Sequence, residues 1–114
     1  MEAVPIYQAK AELFRTLGHP VRIRVLELLQ DGPKVVRELL DDIEIESSSL
    51  SQQLAVLRRA GLVSSTRNGG AVVYELSTAD VSQLLLAGRR ILAAVWTGQQ
   101  ELLAELRSDI VETA

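Results

Sequence analysis

Between Glu46 and Gln53 the chain reads ESSSLSQQ, four serines and two glutamines in eight positions. Hydroxyls donate and accept hydrogen bonds, and a carboxamide presents a donor beside an acceptor. The chemistry on offer is non-covalent recognition of something outside the chain. A helix that only fills a core gains nothing from short polar side chains in its first two turns. Other chemical equipment is sparse: there is no Cys and one His. Disulfides, thiol redox switching and thiolate metal sites are excluded together, and His19 alone leaves little for imidazole ligation. No nucleophile stands with a base and an orienting partner, and no glycine loop is built to cradle phosphate. Catalysis is the least supported class of function.

The formal net charge is −3 over 114 residues, which as a bare sum argues against a polyanionic partner. Distribution matters more than the sum. Residues 1–46 carry 6 basic and 9 acidic groups, residues 47–77 carry 3 and 1, and residues 78–114 carry 3 and 5. The one basic excess coincides with the serine-rich segment. At 47% hydrophobic the chain is apolar for its size, which points to a surface buried by another polypeptide. No stretch reaches the ~18 consecutive apolar residues of a membrane span, and MEAVPIYQAKAE lacks the layout of a signal peptide. The expectation is a soluble, cytoplasmic protein with no membrane partner.

The elements that must position the serines follow from periodicity. Ile6, Leu13, Phe14 and Leu17 recur at helical spacing after Pro5, which suits a first helical position. After Gly18, His19 and Pro20, residues Val21 to Leu29 form a second helix so apolar that it must be central, closed by Asp31, Gly32 and Pro33. A third helix is read over Lys34 to Asp42. On the next helix Leu50, Leu54 and Leu57 share one face, while Ser48, Gln52, Ala55 and Arg59 point away, and Ser47 is a plausible N-cap. Only Ile43 to Glu46 separate these two helices, the connection of a helix-turn-helix, whose second helix enters the DNA major groove. Then LVSSTR and AVVYEL flank Asn68, Gly69 and Gly70, and Asn-Gly is a hairpin signal because both central residues of the favoured turn need φ > 0. Ser77 opens a capping-box variant with Asp80 before a long amphipathic helix, with Thr97 and Gly98 as a candidate break.

These residues resemble the winged helix-turn-helix repressors of the ArsR family, the bacterial arsenic- and metal-responsive regulators. The likeness spans about residues 12–96. It runs through Leu17, His19, Pro20, Arg22 and Leu26, then Ser51, Gln52, Gln53, Leu54, Leu57, Arg58, Ala60, Gly61, Leu62 and Val63, then Gly69, Tyr74 and Leu76. The fold class it implies is mainly α with a small β-hairpin: one winged helix-turn-helix domain over 1–114, with about five helices and a two-stranded wing. The helix-turn-helix lies at about 34–60, the wing at about 62–76, and dimerisation helices at about 5–17 and 78–110. The implied partners are double-stranded promoter DNA, bound at an imperfect inverted repeat, and a second copy of the chain. The implied activity is repression by occupying the promoter.

By that resemblance Ser48, Ser49, Ser51 and Gln52 face base edges, where Gln pairs bidentately with adenine and Ser is permissive. Gln53 is a secondary contact nearer the packed face. Arg58, Arg59 and Arg67 are candidates for phosphate, with Lys34 and Arg37 as further backbone contacts. Leu13, Phe14, Leu84, Leu85, Leu92, Val95 and Trp96 are expected in the dimer interface. Family members that sense thiophilic ions carry cysteines where this chain has Val35 and Arg37. At the family's other site Asp80 stands with Ser82, Ala93 and Trp96. Neither set can hold zinc in its usual four-coordinate geometry, so no metal and no cofactor is expected, and no small-molecule effector is legible. The competing reading from another class is a winged helix that binds protein through its terminal helices and leaves the serine face idle.

Overall fold

The computed structural model describes residues 3–113, with side chains to residue 108. Helix α1 spans Ile6–Leu17, and Pro5 sits one position ahead of it in extended backbone (φ −58°, ψ 144°), its carbonyl accepting from Gln8 and Ala9. Helix α2 spans Pro20–Leu29. His19 closes its first turn: the ring Nδ1 accepts from the Val21 N–H at 3.2 Å. Pro20 in the first helical position has no N–H to leave unpaired. The lone imidazole therefore serves the turn.

Lys34 and Val35 correct the sequence expectation. They are a two-residue strand, β1, and helix α3 begins only at Val36 and ends at Asp42. Lys34 pairs with Tyr74 and Val35 with Val73, so backbone bonding to a segment 38 or more residues away outweighs local helical preference. The Val35 N–H donates to the Glu38 carboxylate at 3.1 Å, so the third residue of the helix reaches back to satisfy the donor of the residue that caps it. The wing is accordingly part of a three-stranded antiparallel sheet ordered β1-β3-β2, with β2 over Val63–Asn68 and β3 over Ala71–Leu76. Its two-residue loop is Gly69-Gly70, with φ of +60° and +87°, the positive pair that a type I′ turn requires. Asn68 instead closes the ladder opposite Ala71.

Helix α4 spans Ser47–Arg59. Its N-cap position is held by Glu46 in extended backbone, whose carbonyl takes the Leu50 N–H, and no side chain caps it. Ser47 is the first helical residue, not the cap, so the expected capping bond is absent. At the other end of the wing, Thr78 rather than Ser77 caps the last helix: its Oγ1 accepts from the Asp80 N–H at 3.2 Å. The Ser77 hydroxyl donates to the Gly61 carbonyl at 2.5 Å, tying the end of β3 to the turn that follows α4.

Helix α5 runs unbroken over Ala79–Thr113. The Thr97 hydroxyl donates to the Ala93 carbonyl at 2.9 Å, which absorbs its polarity without interrupting the backbone ladder. By internal contacts the chain, read from sequence as one domain, divides into two units, Met1–Ser82 and Gln83–Ala114. Every buried hydrophobic among the described residues lies in the first: Leu17, Val25, Leu26, Leu28, Leu29, Leu39, Ile43, Leu50, Leu54, Leu57, Val63 and Val81. At roughly 1.5–3 kcal/mol for each large side chain removed from water, the α2, α3 and α4 contributions fix the helix-turn-helix as a rigid body.

Candidate nucleic-acid interface

Burying Leu50, Leu54 and Leu57 completely sets the rotation of α4, and helical periodicity then dictates what faces outward. Ser48, Ser49, Ser51, Gln52 and Arg59 are exposed, with Ala55 half-buried. From Ser48 to Arg59 the outward row covers about 16 Å at the helical rise of 1.5 Å per residue, long enough to cross a major groove about 12 Å wide. Among the described residues no side-chain hydrogen bond engages Ser47, Ser48, Ser49, Ser51 or Gln52. The hydroxyls and the carboxamide are thus uncommitted among the described residues.

Gln53 differs. It is half-buried, and its Oε1 accepts from Arg22 Nε at 2.7 Å, while Arg22 Nη1 donates to the Thr16 carbonyl at 3.1 Å. One guanidinium on α2 therefore grips both the end of α1 and the middle of α4. With its carbonyl engaged, Gln53 offers outward chiefly the donor half of its amide. The sequence marked Arg22 only as part of the family likeness; its partner lies 31 positions away, a pairing that no local pattern announces.

The basic residues fall at the edges of this face. Arg58 and Arg59 occupy the last turn of α4, where they also offset the partial negative charge of the helix end. Arg67 is exposed near the tip of the wing and Arg37 is exposed on α3, whereas Lys34 is half-buried in β1. The ion pairs among the described residues are Arg15–Glu12 and Arg24–Glu27, so none of these five cations is spent on a carboxylate. Between α4 and the hairpin lies a groove of about 350 Å³ lined by Ala55, Arg58, Ser65, Thr66, Arg67, Val72 and Tyr74. Ser65, Thr66 and Tyr74 were not legible as site residues, because the groove exists only once α4 and the sheet are packed.

The expected dimer residues fall in both units. In the first, Leu13 is half-buried and Phe14 is 57% exposed. Along α5, Leu84 and Leu85 are half-buried, while Leu92, Val95 and Trp96 are exposed, Trp96 to 60%, as are Leu102, Leu103 and Leu106. Ile110, which continues this apolar spacing in the sequence, lies outside the described side chains. Among the described residues no three of His, Cys, Asp or Glu cluster so as to hold a metal ion, and no helix is long and apolar enough to cross a membrane.

Comparison with known proteins agrees with this geometry. Residues 19–65 match the model of the bacterial regulatory protein family arsR. The HTH-type transcriptional regulator Rv0081 of Mycobacterium tuberculosis is 49% identical over 109 residues, covering 95% of this chain and 96% of that protein. Its crystal structure superposes with a TM-score of 0.79 over 85% of this chain and 98% of that one. The transcriptional repressor BigR of Xylella fastidiosa superposes with a TM-score of 0.69 at 40% identity, over 75% of this chain and 87% of that one. The uncommitted polar face of α4, the hairpin beside it and these likenesses converge: the chain belongs to the arsR family of bacterial regulatory proteins, winged helix-turn-helix transcriptional regulators rather than enzymes.

Proposed function

We propose that the chain is a cytoplasmic repressor that binds an imperfect inverted repeat in promoter DNA as a homodimer. The observation that carries this reading is the outward row of α4, whose hydroxyls and carboxamide are exposed and unbonded among the described residues. In the proposed complex Ser48, Ser49, Ser51 and Gln52 meet base edges, with Gln53 at the margin. Arg59, Arg67, Lys34 and Arg37 meet the sugar-phosphate backbone, which positions the helix and supplies most of the affinity. Leu13, Phe14, Leu84, Leu85, Leu92, Val95 and Trp96 are covered by the second copy. A two-fold assembly places two copies of α4 on half-sites about one helical turn apart. Repression, the activity named for BigR, follows from occupying the promoter. With Val35 and Arg37 at the thiolate positions, no thiophilic ion is required.

Footprinting of the purified chain on the DNA upstream of its own gene tests this. Protection of two related half-sites is expected, with affinity falling steeply in salt, by a log-log slope of about −0.9 per phosphate neutralised. A chain that protects nothing and shows no salt dependence would be an interaction module instead. Repeating the footprint with cell extract reveals any ligand that releases the DNA.

A further inference from the structure

The groove between α4 and the hairpin has a chemistry of its own. Register places Ser65 opposite Tyr74 and Arg67 opposite Val72, so these four side chains share the hairpin face that lines the groove, while Thr66, paired with Val73, turns its side chain to the other face and borders the groove from its place between Ser65 and Arg67 in β2. From the other side come Arg58 and, one turn earlier, Ala55, whose small side chain leaves the space open. Of the seven lining residues five carry a hydroxyl or a guanidinium and none is acidic. The hairpin's one carboxylate, Glu75, pairs with Ser64 and so lies on the opposite face of the sheet. Two guanidiniums, two hydroxyls and no counter-ion in one concave volume of about 350 Å³ are a donor set with no anion to meet it. The α4 C-terminus faces this end and its dipole opposes an anion, but at about half an elementary charge it is outweighed by two full cations.

We propose that this groove is a phosphate-binding site in which Arg58 and Arg67 clasp one phosphate group from two sides, with the hydroxyls of Ser65 and Tyr74 as further donors. A guanidinium fork matches the oxygens of a phosphate. The proposal rests on the DNA-binding reading in naming the DNA backbone as the first source of that phosphate, held where the strand passes between recognition helix and wing. A free phosphate ester carries the same chemistry and would compete for the same groove.

The test uses the full chain and the DNA fragment upstream of its own gene. Affinity is followed between about 50 and 200 mM salt for wild type, Arg58→Ala, Arg67→Ala and the double variant. Because either arginine alone still neutralises the shared phosphate, each single variant flattens the slope by clearly less than one increment. The double variant flattens it by about 0.9, one phosphate's worth. The Arg58→Lys/Arg67→Lys chain, tested alongside, retains the charge and the slope, and thermal unfolding verifies that every variant folds. Two full increments lost in the double variant, one from each arginine, would mean separate phosphates and overturn the shared site, as would an unchanged slope.

Inorganic phosphate is titrated in parallel into the DNA-free chain while its backbone amides are followed by NMR. Saturable shifts confined to residues 55, 58 and 65–67, absent from the double variant, identify free phosphate as a second occupant. A one-phosphate slope without such shifts assigns the site to the DNA backbone alone. If the wild-type chain does not bind the fragment, the repressor reading fails while the groove is judged by the titration: localised shifts uphold it and their absence sinks it.

Discussion

Helices α4 and α5 carry the same kind of pattern, leucines at three- and four-residue spacing with polar residues between, and end in opposite states. The leucines of α4 are completely buried and its polar face is bare; along α5 the apolar stripe through Leu92, Val95, Trp96, Leu102, Leu103 and Leu106 stays exposed. Periodicity therefore establishes that a face is apolar without saying what covers it. For α4 the cover comes from within the chain, from α2, α3 and β2. For the α5 stripe nothing among the described residues covers it, and the proposed cover is a second copy.

The largest effect that sharpens this contrast is Leu54→Ala. A buried leucine truncated in a packed core costs about 2–5 kcal/mol, so the variant should lose much of its stability in denaturant unfolding at any protein concentration. Trp96→Ala should behave differently. Its cost is paid in association, about 2 kcal/mol or a thirty-fold weaker dimer if the tryptophan is an interface anchor, read by sedimentation equilibrium and visible as a lower unfolding midpoint only in dilute solution. A concentration-independent loss for Trp96→Ala would erase the distinction between the two helices.

Next comes Gln52→Ala on the bare face of α4. Losing a bidentate base contact should cost about 1–3 kcal/mol of discrimination between operator and unrelated duplex, measured by competition binding, with unfolding unchanged. Smallest is the pair Ser47→Ala and Thr78→Ala. Thr78 accepts from the Asp80 N–H, so its loss should cost about 1 kcal/mol; Ser47 makes no such bond and its loss should fall within about 0.5 kcal/mol of wild type. Equal losses would show that the serine, too, serves the helix start.

The helices, their order and the wing were legible because each rests on local signals: the α4 leucine spacing, Pro20 after His19, the glycines after Asn68. What was not legible depends on distant partners or on a one-residue choice of backbone. Lys34 and Val35 read as helix until β3 supplies their ladder. The turn falls on Gly69-Gly70 rather than Asn68-Gly69, because two adjacent glycines accommodate two positive φ values more readily than Asn and Gly do. Glu46 rather than Ser47 takes the cap position, and Thr78 rather than Ser77, shifts of one residue within the range over which helix starts are hard to place. Of the interface, the exposed row of α4 was foreseen from the wheel, whereas the groove beside it and the grip of Arg22 on Gln53 needed the packed fold.

That grip constrains mechanics. A guanidinium is flat and its N–H directions are fixed, so the angle between the two bonds made by Arg22 cannot be retuned by rotating a flexible stem. The carbonyl at the tail of α1 and the amide in the middle of α4 are consequently gauged against one rigid piece, and the azimuth that the buried leucines give the serine row is checked against where the first helix stops. A lysine at this position would bear the same charge, yet it would leave that azimuth to the buried leucines alone.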